Sequence, residues 1–296
     1  MEKTLEGKIA VVAGGTRGAG RAIALALGEQ GATVYVAGRS SRGKPSPMGR
    51  PETIEETAEE VTARGGLGIP VRVDLTVPEE AEALFARVKQ EQGGRLDILI
   101  NDIWGGDMLM EWGKPFWEQN LAHGLQMQKQ AVSAHLITAH CAAPLLAAAG
   151  SGLLIEITDG VGYKFRGSLF YSLAKISAVH IAEGLAEELK PYGVTALSLT
   201  PGFLRSEAML DHFGVTEANW RDAAAQDPHF IASETPAYIG RAVAALASDP
   251  QVTRKNGRSL STWELSEEYD FTDADGSRPH WGRYFAATFP DQTEQA

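Results

Sequence analysis

Short runs of consecutive apolar residues alternate along the chain with longer segments in which apolar residues recur at helical spacing. Continuous hydrophobicity is typical of strands that are covered on both faces, so we interpret the short runs as buried strands. Seven alternations of strand and helix predict an α/β fold with a doubly wound, seven-stranded parallel sheet and helices on both faces. The predicted strands lie at 8 to 13, 33 to 38, 68 to 74, 96 to 101, 152 to 158, 193 to 200 and 258 to 263.

Three segments interrupt this alternation, and none resembles a linker between domains. We expect one domain over residues 1 to 265, with a short helical insertion at about 203 to 234 that forms a lid over the substrate. Residues 40 to 51, rich in Gly, Pro and Arg, predict a surface loop, and residues 102 to 117 contain three of the six tryptophans. The tail, residues 266 to 296, is too aromatic for a disordered extension, so we expect it to pack on the body or on a neighbouring subunit. The aromatic residues expected to anchor the tail are Trp263, Tyr269, Phe271, Trp281 and Phe285.

The charge balance narrows the range of partners. A formal net charge of -11 argues against nucleic acid, which needs clustered Lys and Arg. The first residues enter a strand pattern without a basic-then-apolar leader, and no run approaches the ~18 apolar residues of a membrane span. We therefore expect a cytoplasmic protein that binds neither nucleic acid nor membrane.

The sequence predicts no metal site. His135 and His140 are five residues apart, so a helix does not stack them on one face as it does the two histidines of HExxH. The DADG stretch at 273 to 276 resembles the start of a calcium loop but lacks the glutamate required at the twelfth position.

The turn between the first predicted strand and the first helix carries closely spaced glycines. Gly14, Gly18 and Gly20 allow a tight turn, close approach of backbone amides to a pyrophosphate, and close packing of helix on strand. The N-terminus of the following helix adds a positive dipole for the same phosphates. A glycine triplet alone is often only a tight turn, but its place in an α/β chain favours a Rossmann-type nucleotide site that includes Thr16 and Arg17.

The end of the second strand indicates which dinucleotide is bound. An NAD site has a carboxylate there for the ribose 2′-hydroxyl, whereas this chain has Ala37, Gly38, Arg39 and Ser40. Arg39, together with Arg17, can pair with a 2′-phosphate through charge-assisted hydrogen bonds. We therefore expect NADP(H) to be preferred over NAD(H). The alternative is that both arginines are ordinary solvated charges.

Tyr171 and Lys175 are one helical turn apart, so the phenol and the ammonium share a face. With this YxxxK pair and the glycine turn in matching strand contexts, the chain resembles the short-chain dehydrogenase/reductase family across roughly residues 5 to 265. The Trp-rich segment and the long connection after it resemble a divergent subgroup, of the dehydrogenase/reductase "member one" kind. The resemblance implies a homodimer or homotetramer that pairs through the helices corresponding to 120 to 149 and 171 to 190.

The resemblance also implies cofactor contacts at further positions. Asp74, followed by Leu75, lies where the family binds the adenine amino group, and Asn101 matches the first residue of the Asn-Asn-Ala-Gly signature. Asp74 could instead cap the next helix, and Ser206 could be the N-cap of its own helix. The other positions that the resemblance assigns to the cofactor are Pro201, Gly202, Ser206 at the carboxamide, Tyr171, and Lys175 at the nicotinamide ribose.

The family transfers hydride between the nicotinamide and a carbonyl or alcohol carbon, with the residue at Tyr171 as general acid in reduction. We expect Lys175 to lower the phenol pKa from ~10. Asp159 occupies the position of the catalytic serine. Because strand neighbours face opposite sides, either Asp159, which the register favours, or Thr158, through a bulge, faces the substrate. Ala131 falls at the family's helix asparagine and cannot hydrogen-bond, so we expect a weakened water relay behind Lys175.

We therefore expect an NADP(H)-dependent oxidoreductase with Tyr171, Lys175 and Asp159 as catalytic residues. Its substrate carbon would be a carbonyl or alcohol carbon, or an imine or amine carbon, since an ionised aspartate only accepts hydrogen bonds. The alternative is a catalytically impaired NADP(H)-binding sensor or scaffold, suggested by Asp159 and Ala131. Four aromatic residues could line an apolar pocket or serve core and subunit contacts: Trp104, Trp112, Phe116 and Trp117.

Overall fold

The computed structural model describes residues 3–45 and 48–289 and contains one seven-stranded sheet. Its strands are β1 (Ile9–Ala13), β2 (Thr33–Gly38), β3 (Leu67–Arg72), β4 (Ile98–Asn101), β5 (Gly152–Ile157), β6 (Val194–Thr200) and β7 (Ser259–Ser261). Neighbouring strands all pair in parallel, in the order β3-β2-β1-β4-β5-β6-β7. The doubly wound parallel sheet predicted from the sequence is confirmed.

Helices cover both faces of the sheet. They are α1 (Gly18–Glu29), α2 (Ile54–Ala63), α3 (Pro78–Glu91), α4 (Leu121–Gln128), α5 (Ala134–Ala149), α6 (Leu169–Leu189), α7 (Glu207–Phe213), α8 (Pro236–Ser248), α9 (Thr262–Tyr269) and α10 (Trp281–Thr288). Val12 packs in the core layer with α1, α2 and α8, whereas Val11 packs in the layer with α3, α5 and α6. Both valines are 0% exposed, which is the physical reason for the continuous hydrophobic runs.

The strand order reverses at β1, which lies between β2 and β4. Ala13 is in register with Ala37 of β2 and with Asn101 of β4, so the three strands end at one level. Ligands of doubly wound sheets bind in the crevice at such a switch point, outside the carboxyl ends of the strands. The glycine turn after β1, Arg39 after β2 and Asn101 therefore meet at one edge.

Several element boundaries differ from the prediction. The third strand ends at Arg72 rather than at 74, and the seventh ends at Ser261 because α9 begins at Thr262. The expected domain boundary between 265 and 266 falls inside α9, whose Trp263 and Leu265 side chains are buried. The tail therefore begins after Tyr269, where α9 ends.

The tail packs against the body over its described residues, which end at 289. Both carboxylate oxygens of Asp273 accept hydrogen bonds from Thr235, one from the backbone at 2.8 Å and one from the hydroxyl. The Trp281 ring lies 5.9 Å from that of Phe203, and the Tyr284 hydroxyl lies 3.0 Å from His229 Nδ1. Of the other residues expected to anchor the tail, Tyr269 and Phe271 pack on the core, while Phe285 contacts Trp281 and Phe289.

The insertion after β6 is helical, as predicted. It contains α7 and two 3₁₀ turns, Trp220–Ala225 and Pro228–Ala232, around a small apolar core of Phe213, Trp220, Ala223 and Phe230. This separate core lets the insertion pack as a unit beside the cleft.

The helical run Leu121–Ala149 joins α4 and α5 through a π-helical segment, Lys129–Ser133. In the described chain, this run is long and apolar enough to cross a membrane by length and composition. Core helices of proteins outside membranes pass the same test, and 44% of its apolar window is buried inside the molecule.

Candidate active site

The glycine turn is held so tightly that side chains are excluded from it. Gly14 has φ +90, and a Cβ there would lie 2.2 Å from the backbone oxygen of Asp102. A Cβ on Gly20 would lie 2.4 Å from the Gly14 oxygen. The turn thus brings β1, the end of β4 and the N-terminus of α1 into close backbone contact, and the amides at a helix N-terminus attract anions.

Asp102, where the match to the family signature begins to degrade, lies beneath this turn. Its amide donates to Ala13 at 2.9 Å, and its carboxyl group is half-buried against Gly20. Burial raises the pKa of Asp102 to about 7, although the charge of Lys175 opposes the shift. The residue therefore ties the β4 end to the glycine turn.

The structure gives Arg17 and Arg39 different surroundings. Arg17 donates to Glu52 at 3.2 Å and to Ser40 at 3.2 Å, and burial lowers its pKa despite the Glu52 charge. Arg39 forms no ion pair among the described residues, and its Nη2 lies 3.2 Å from where a Cβ of Gly105 would be. Of these two arginines, Arg39 alone has a guanidinium without an ion pair in the described chain; the contact of Arg17 with Glu52 was not predicted from the sequence.

Asp74 has one carboxylate oxygen engaged and one free. Its Oδ1 accepts from the backbone and hydroxyl of Thr76 at 3.0 and 2.8 Å, whereas Oδ2 accepts from no described residue. Burial opposes ionisation, but these hydrogen bonds outweigh it and hold the pKa of Asp74 below its usual range. Val77 is the N-cap of α3, so Asp74 stabilises the preceding turn rather than capping the helix. The Leu75 side chain is buried in the core, 4% exposed, so only its backbone can face the cleft.

Tyr171 and Asp159 form the centre of the candidate site. The Tyr171 hydroxyl donates to Asp159 Oδ2 at 2.8 Å, and the second oxygen of Asp159 accepts from no described residue. Thr158 faces the other way and donates to the backbone oxygen of Lys175 at 2.7 Å. The predicted strand register therefore holds, and the bulge that would have presented Thr158 is not formed.

The pKa of Tyr171 moves opposite to the shift expected from Lys175. Burial and then the charge and hydrogen bond of Asp159 raise the pKa of Tyr171 well above its usual value. The Lys175 ammonium lies 4.0 Å from the Trp104 ring centroid and 5.6 Å from that of Tyr171. Burial lowers the pKa of Lys175, partly offset by Asp159. The expectation that Lys175 makes the phenol acidic is wrong, because burial of the phenol and then the Asp159 carboxylate outweigh the lysine.

Aromatic and cationic residues surround Tyr171 and Asp159. Trp104 and Trp112 contact the Tyr171 ring edge-on, with centroids 5.7 and 5.3 Å away. The Phe116 ring packs on that of Phe170, with centroids 5.2 Å apart. Trp117 is 80% exposed and does not line the pocket around Tyr171. Arg166, which the sequence did not single out, lies against Gly160 beside Asp159.

A buried polar network lies behind the β4 end, and the sequence analysis missed it. Glu156 is 0% exposed; it accepts from the Asn101 amide at 2.7 Å and forms a short hydrogen bond with His135 Nδ1. His135 Nε2 lies 3.0 Å from the Ile103 backbone oxygen. Asn101 is thus held inside the protein and supports the cleft indirectly. A charged residue inside the apolar run of β5 was the available signal.

Ala131 lies in the π-helical segment and packs with Met127, Phe170 and Ala174. Its methyl group fills apolar space, so the side chain at this position contributes no hydrogen bond behind Lys175. Ala131, the position matched to the family's asparagine, thus lies in a π-helical turn, and such turns frequently mark functional sites.

The turn after β6 is fixed by a buried carboxyl group. Glu234 Oε2 accepts from the Gly202 amide at 2.9 Å and from the Thr262 hydroxyl at 2.8 Å. Burial raises the pKa of Glu234 to about 8. A Cβ on Gly202 would lie 2.8 Å from Trp281 Cβ, so the tail covers the Pro201–Gly202 turn. Ser206 is the N-cap of α7, which was the alternative to a cofactor contact, and its hydroxyl oxygen accepts from the Met209 amide at 3.4 Å.

These features meet at the switch point of a doubly wound sheet, and the family profile described as short chain dehydrogenase matches residues 8–213. The chain belongs to the short-chain dehydrogenase/reductase family. Mouse dehydrogenase/reductase SDR family member 1 is 32% identical over 280 residues, which cover 93% of this chain and 86% of that protein. The likeness to the "member one" subgroup is therefore confirmed.

Solved structures show the same fold. A short chain dehydrogenase from Mycobacterium thermoresistibile has a TM-score of 0.77 and 23% identity, over 94% of this chain and 92% of that one. A Beutenbergia cavernae protein with NADP bound at low occupancy has a TM-score of 0.68 and 23% identity, over 88% and 97%.

As a member of the short-chain dehydrogenase/reductase family, the protein is an oxidoreductase that uses NAD(P) and acts on a small molecule. The residues present fit a dinucleotide, because the Asp74 oxygen and the Arg39 guanidinium have no partner elsewhere in the described chain. Across residues 3–45 and 48–289, no three His, Cys, Asp or Glu side chains are grouped to hold a metal ion.

Proposed function

We propose that the protein is an NADP(H)-dependent oxidoreductase in which Tyr171 is the general acid or base. The substrate carbon is a carbonyl or alcohol carbon, or an imine or amine carbon. The observation that carries the proposal is the 2.8 Å hydrogen bond from Tyr171 to Asp159, with Lys175 one turn along α6. A phenol, a carboxyl group and an amine thus lie together in one cleft at the carboxyl ends of the strands, which supports these roles.

The cofactor, when bound, supplies the hydride. We assign the phosphates to the turn Gly14, Thr16, Gly18 and Gly20, the adenine to Asp74 and the backbone of Leu75, and the ribose to Lys175. Pro201, Gly202 and Ser206 lie at the nicotinamide end, and Asn101 supports the cleft from within. Arg39 has no ion pair in the described chain, and β2 ends in Ala37 and Gly38 rather than in a carboxylate. These features favour the 2′-phosphate of NADP(H). Arg17 would be a second ligand of that phosphate when its ion pair with Glu52 opens.

Asp159 decides which substrates suit the cleft. Its carboxylate accepts a hydrogen bond from the Tyr171 hydroxyl and has a second acceptor oxygen, whereas the serine of the family would offer a donor. A developing oxyanion is therefore opposed by Asp159, and a substrate that presents N–H or O–H to it is favoured. The aromatic faces of Trp112 and Tyr171 suit an apolar body on that substrate.

The surface of α5 and α6 favours an oligomer. A groove of about 680 Å³ lies between these helices and α3, lined by apolar residues that include Leu136, Pro144, Leu185 and Leu189. We propose that a second copy covers it in a cytoplasmic homodimer or homotetramer. The insertion at 203 to 234 would act as the substrate lid beside the cleft.

Cofactor titration followed by turnover tests the proposal. NADPH should bind at least tenfold more tightly than NADH, which corresponds to ~1.4 kcal/mol, and a panel of ketones, imines and quinones should include one that oxidises it. Equal affinities would remove the NADP(H) assignment. Tight NADPH binding without turnover of any compound would favour the sensor or scaffold alternative, for which Asp159 and Ala131 are the supporting departures.

A further inference from the structure

The glycine turn already binds a carboxylate of the chain itself. Gly18, the first residue of α1, donates its amide hydrogen to Glu207 Oε2 at 2.9 Å. Glu207 is the first residue of α7, and a Cβ on Gly18 would lie 3.8 Å from Ser206 Cβ. A helix N-terminus attracts anions through its free amides and its dipole. Glu207 therefore occupies a position that the proposed function gives to a cofactor phosphate.

A chain of ion pairs reinforces this contact. Asp211, one turn after Glu207 on α7, pairs with Arg50 at 3.0 Å. Arg50 also pairs with Glu52 at 2.7 Å, and Glu52 pairs with Arg17 at 3.2 Å. Because Arg17 directly precedes Gly18, the contacts form a closed ring from the turn through α7 and back. Two of the groups expected to bind phosphate, the Gly18 amide and Arg17, thus bind carboxylates of the chain itself.

The two carboxylates are not equally held. Glu52 is 8% exposed and lies between two guanidinium groups, whose hydrogen bonds outweigh burial and hold the pKa of Glu52 below its usual range. Glu207 is half-buried, has no ion pair within the described chain, and contacts the turn through one amide. An incoming phosphate group therefore displaces Glu207 at lower cost than Glu52.

We propose that Glu207 is an internal competitor for the Gly18 turn, so that the dinucleotide binds only when the N-terminus of α7 is released. The inference rests on the proposed dinucleotide site. Because binding linkage is reciprocal, whatever stabilises the Glu207 contact weakens cofactor binding, and bound cofactor loosens α7 from the turn. The lid segment is thereby coupled to the phosphate end of the cleft.

The test is Glu207→Gln, which keeps the size of the side chain and removes its charge. NADPH and inorganic pyrophosphate should each bind roughly three- to tenfold more tightly to the variant, the range expected for a carboxylate at a helix N-terminus. Hydrogen exchange of α7 amides in the ligand-free protein should be faster than in the wild type. Asp222→Asn is the matched control, because it removes one negative charge from the same insertion at a residue that bonds Asn219.

Unchanged or weaker pyrophosphate binding by Glu207→Gln would overturn the proposal, as would unchanged exchange in α7. Either result would make Glu207 a simple cap of α1. The exchange and pyrophosphate measurements need no NADPH, so they decide this inference by themselves. A wild-type protein that binds pyrophosphate but not NADPH would instead contradict the proposed function.

Discussion

Position 159 holds a carboxylate, which can only accept hydrogen bonds when ionised, where this family has a serine hydroxyl, which can also donate one. The acceptance is direct, since the Tyr171 hydroxyl points at Asp159 Oδ2. No Lys, Arg or His nitrogen in the described chain comes within ion-pairing distance of Asp159. The charges of Arg166 and Lys175, which lie nearby, therefore weaken the effect of the Asp159 carboxylate on Tyr171 without cancelling it. Burial, and then this carboxylate, raise the pKa of Tyr171.

Replacing the carboxylate should therefore shift substrate preference. We expect Asp159→Ser to raise kcat/KM for simple ketones with NADPH by roughly tenfold, because it removes a charge that raises the pKa of Tyr171 and opposes a developing oxyanion. The same change should weaken any imine or amine substrate. The comparison variant is Asp107→Asn, which removes a nearby carboxylate that bonds Trp104 rather than the Tyr171 hydroxyl and that raises the pKa of Tyr171 less than Asp159 does. Steady-state rates over a pH series measure both.

A loss of ketone activity in Asp159→Ser would contradict this account. If the wild-type rate also fell above a single apparent pKa that the serine variant lacks, Asp159 would be a protonated donor instead. That outcome would transfer the proton-donating role at the substrate oxygen to the buried acid.

Motif spacing predicted Tyr171, Lys175 and Asp159 because one helical turn and one strand register determine where these side chains point. The same reasoning missed Glu156 and His135, which touch each other across two elements that are far apart in sequence. It also gave the wrong direction for the Tyr171 pKa, because the motif names the nearby lysine but not the burial of the site.

Among the connecting elements, the turn after β6 depends on one buried acid. Glu234 joins this turn to Thr262 of α9, and its second oxygen, Oε1, is buried with no partner in the described chain. A buried carboxyl group that cannot pair with a cation is more stable protonated. Its pKa is accordingly raised to about 8.

This raised pKa predicts how stability varies with pH. The folded state holds the Glu234 proton more tightly than the unfolded chain, so the associated stability is fully present below the unfolded pKa of ~4.3 and is lost as pH rises through about 8. Glu234→Gln keeps an acceptor for Gly202 and should remove this loss, which amounts to at most ~1.4 kcal/mol per pH unit. Melting temperatures from pH 5 to 9 measure it. A wild type and a variant with parallel profiles would contradict the assignment, with exposed Glu264→Gln as the control.

Element order was predictable because continuous apolar runs identify buried parallel strands. The boundary at the tail was not, because α9 and the tail are distinguished by packing against Thr235 and Phe203 rather than by local composition. The contacts of α7 with the glycine turn were likewise invisible in the sequence, since they join residues 189 positions apart.

At the scale of the whole molecule, the α5 and α6 surface should determine the oligomeric state. Leu136 lines the groove and is 51% exposed, and Leu67 at the sheet edge is also 51% exposed. We expect Leu136→Glu to dissociate the oligomer, because it buries a charge in an apolar interface, and Leu67→Glu to leave it intact. Light scattering coupled to size-exclusion chromatography gives both masses. Equal masses for the wild type and the Leu136 variant would place the interface elsewhere or show a monomer.

The central claim is that Tyr171 transfers the proton in an NADP(H)-dependent reaction, and Tyr171→Phe tests it most directly. The change removes only the phenolic oxygen and its proton, so the fold and the phosphate contacts should persist. With a substrate that the wild type turns over, we expect the variant to bind NADPH with unchanged affinity while kcat falls ~10²- to 10⁴-fold, the usual contribution of a general acid or base. A Tyr171→Phe variant that binds NADPH and keeps most of its turnover would contradict the account.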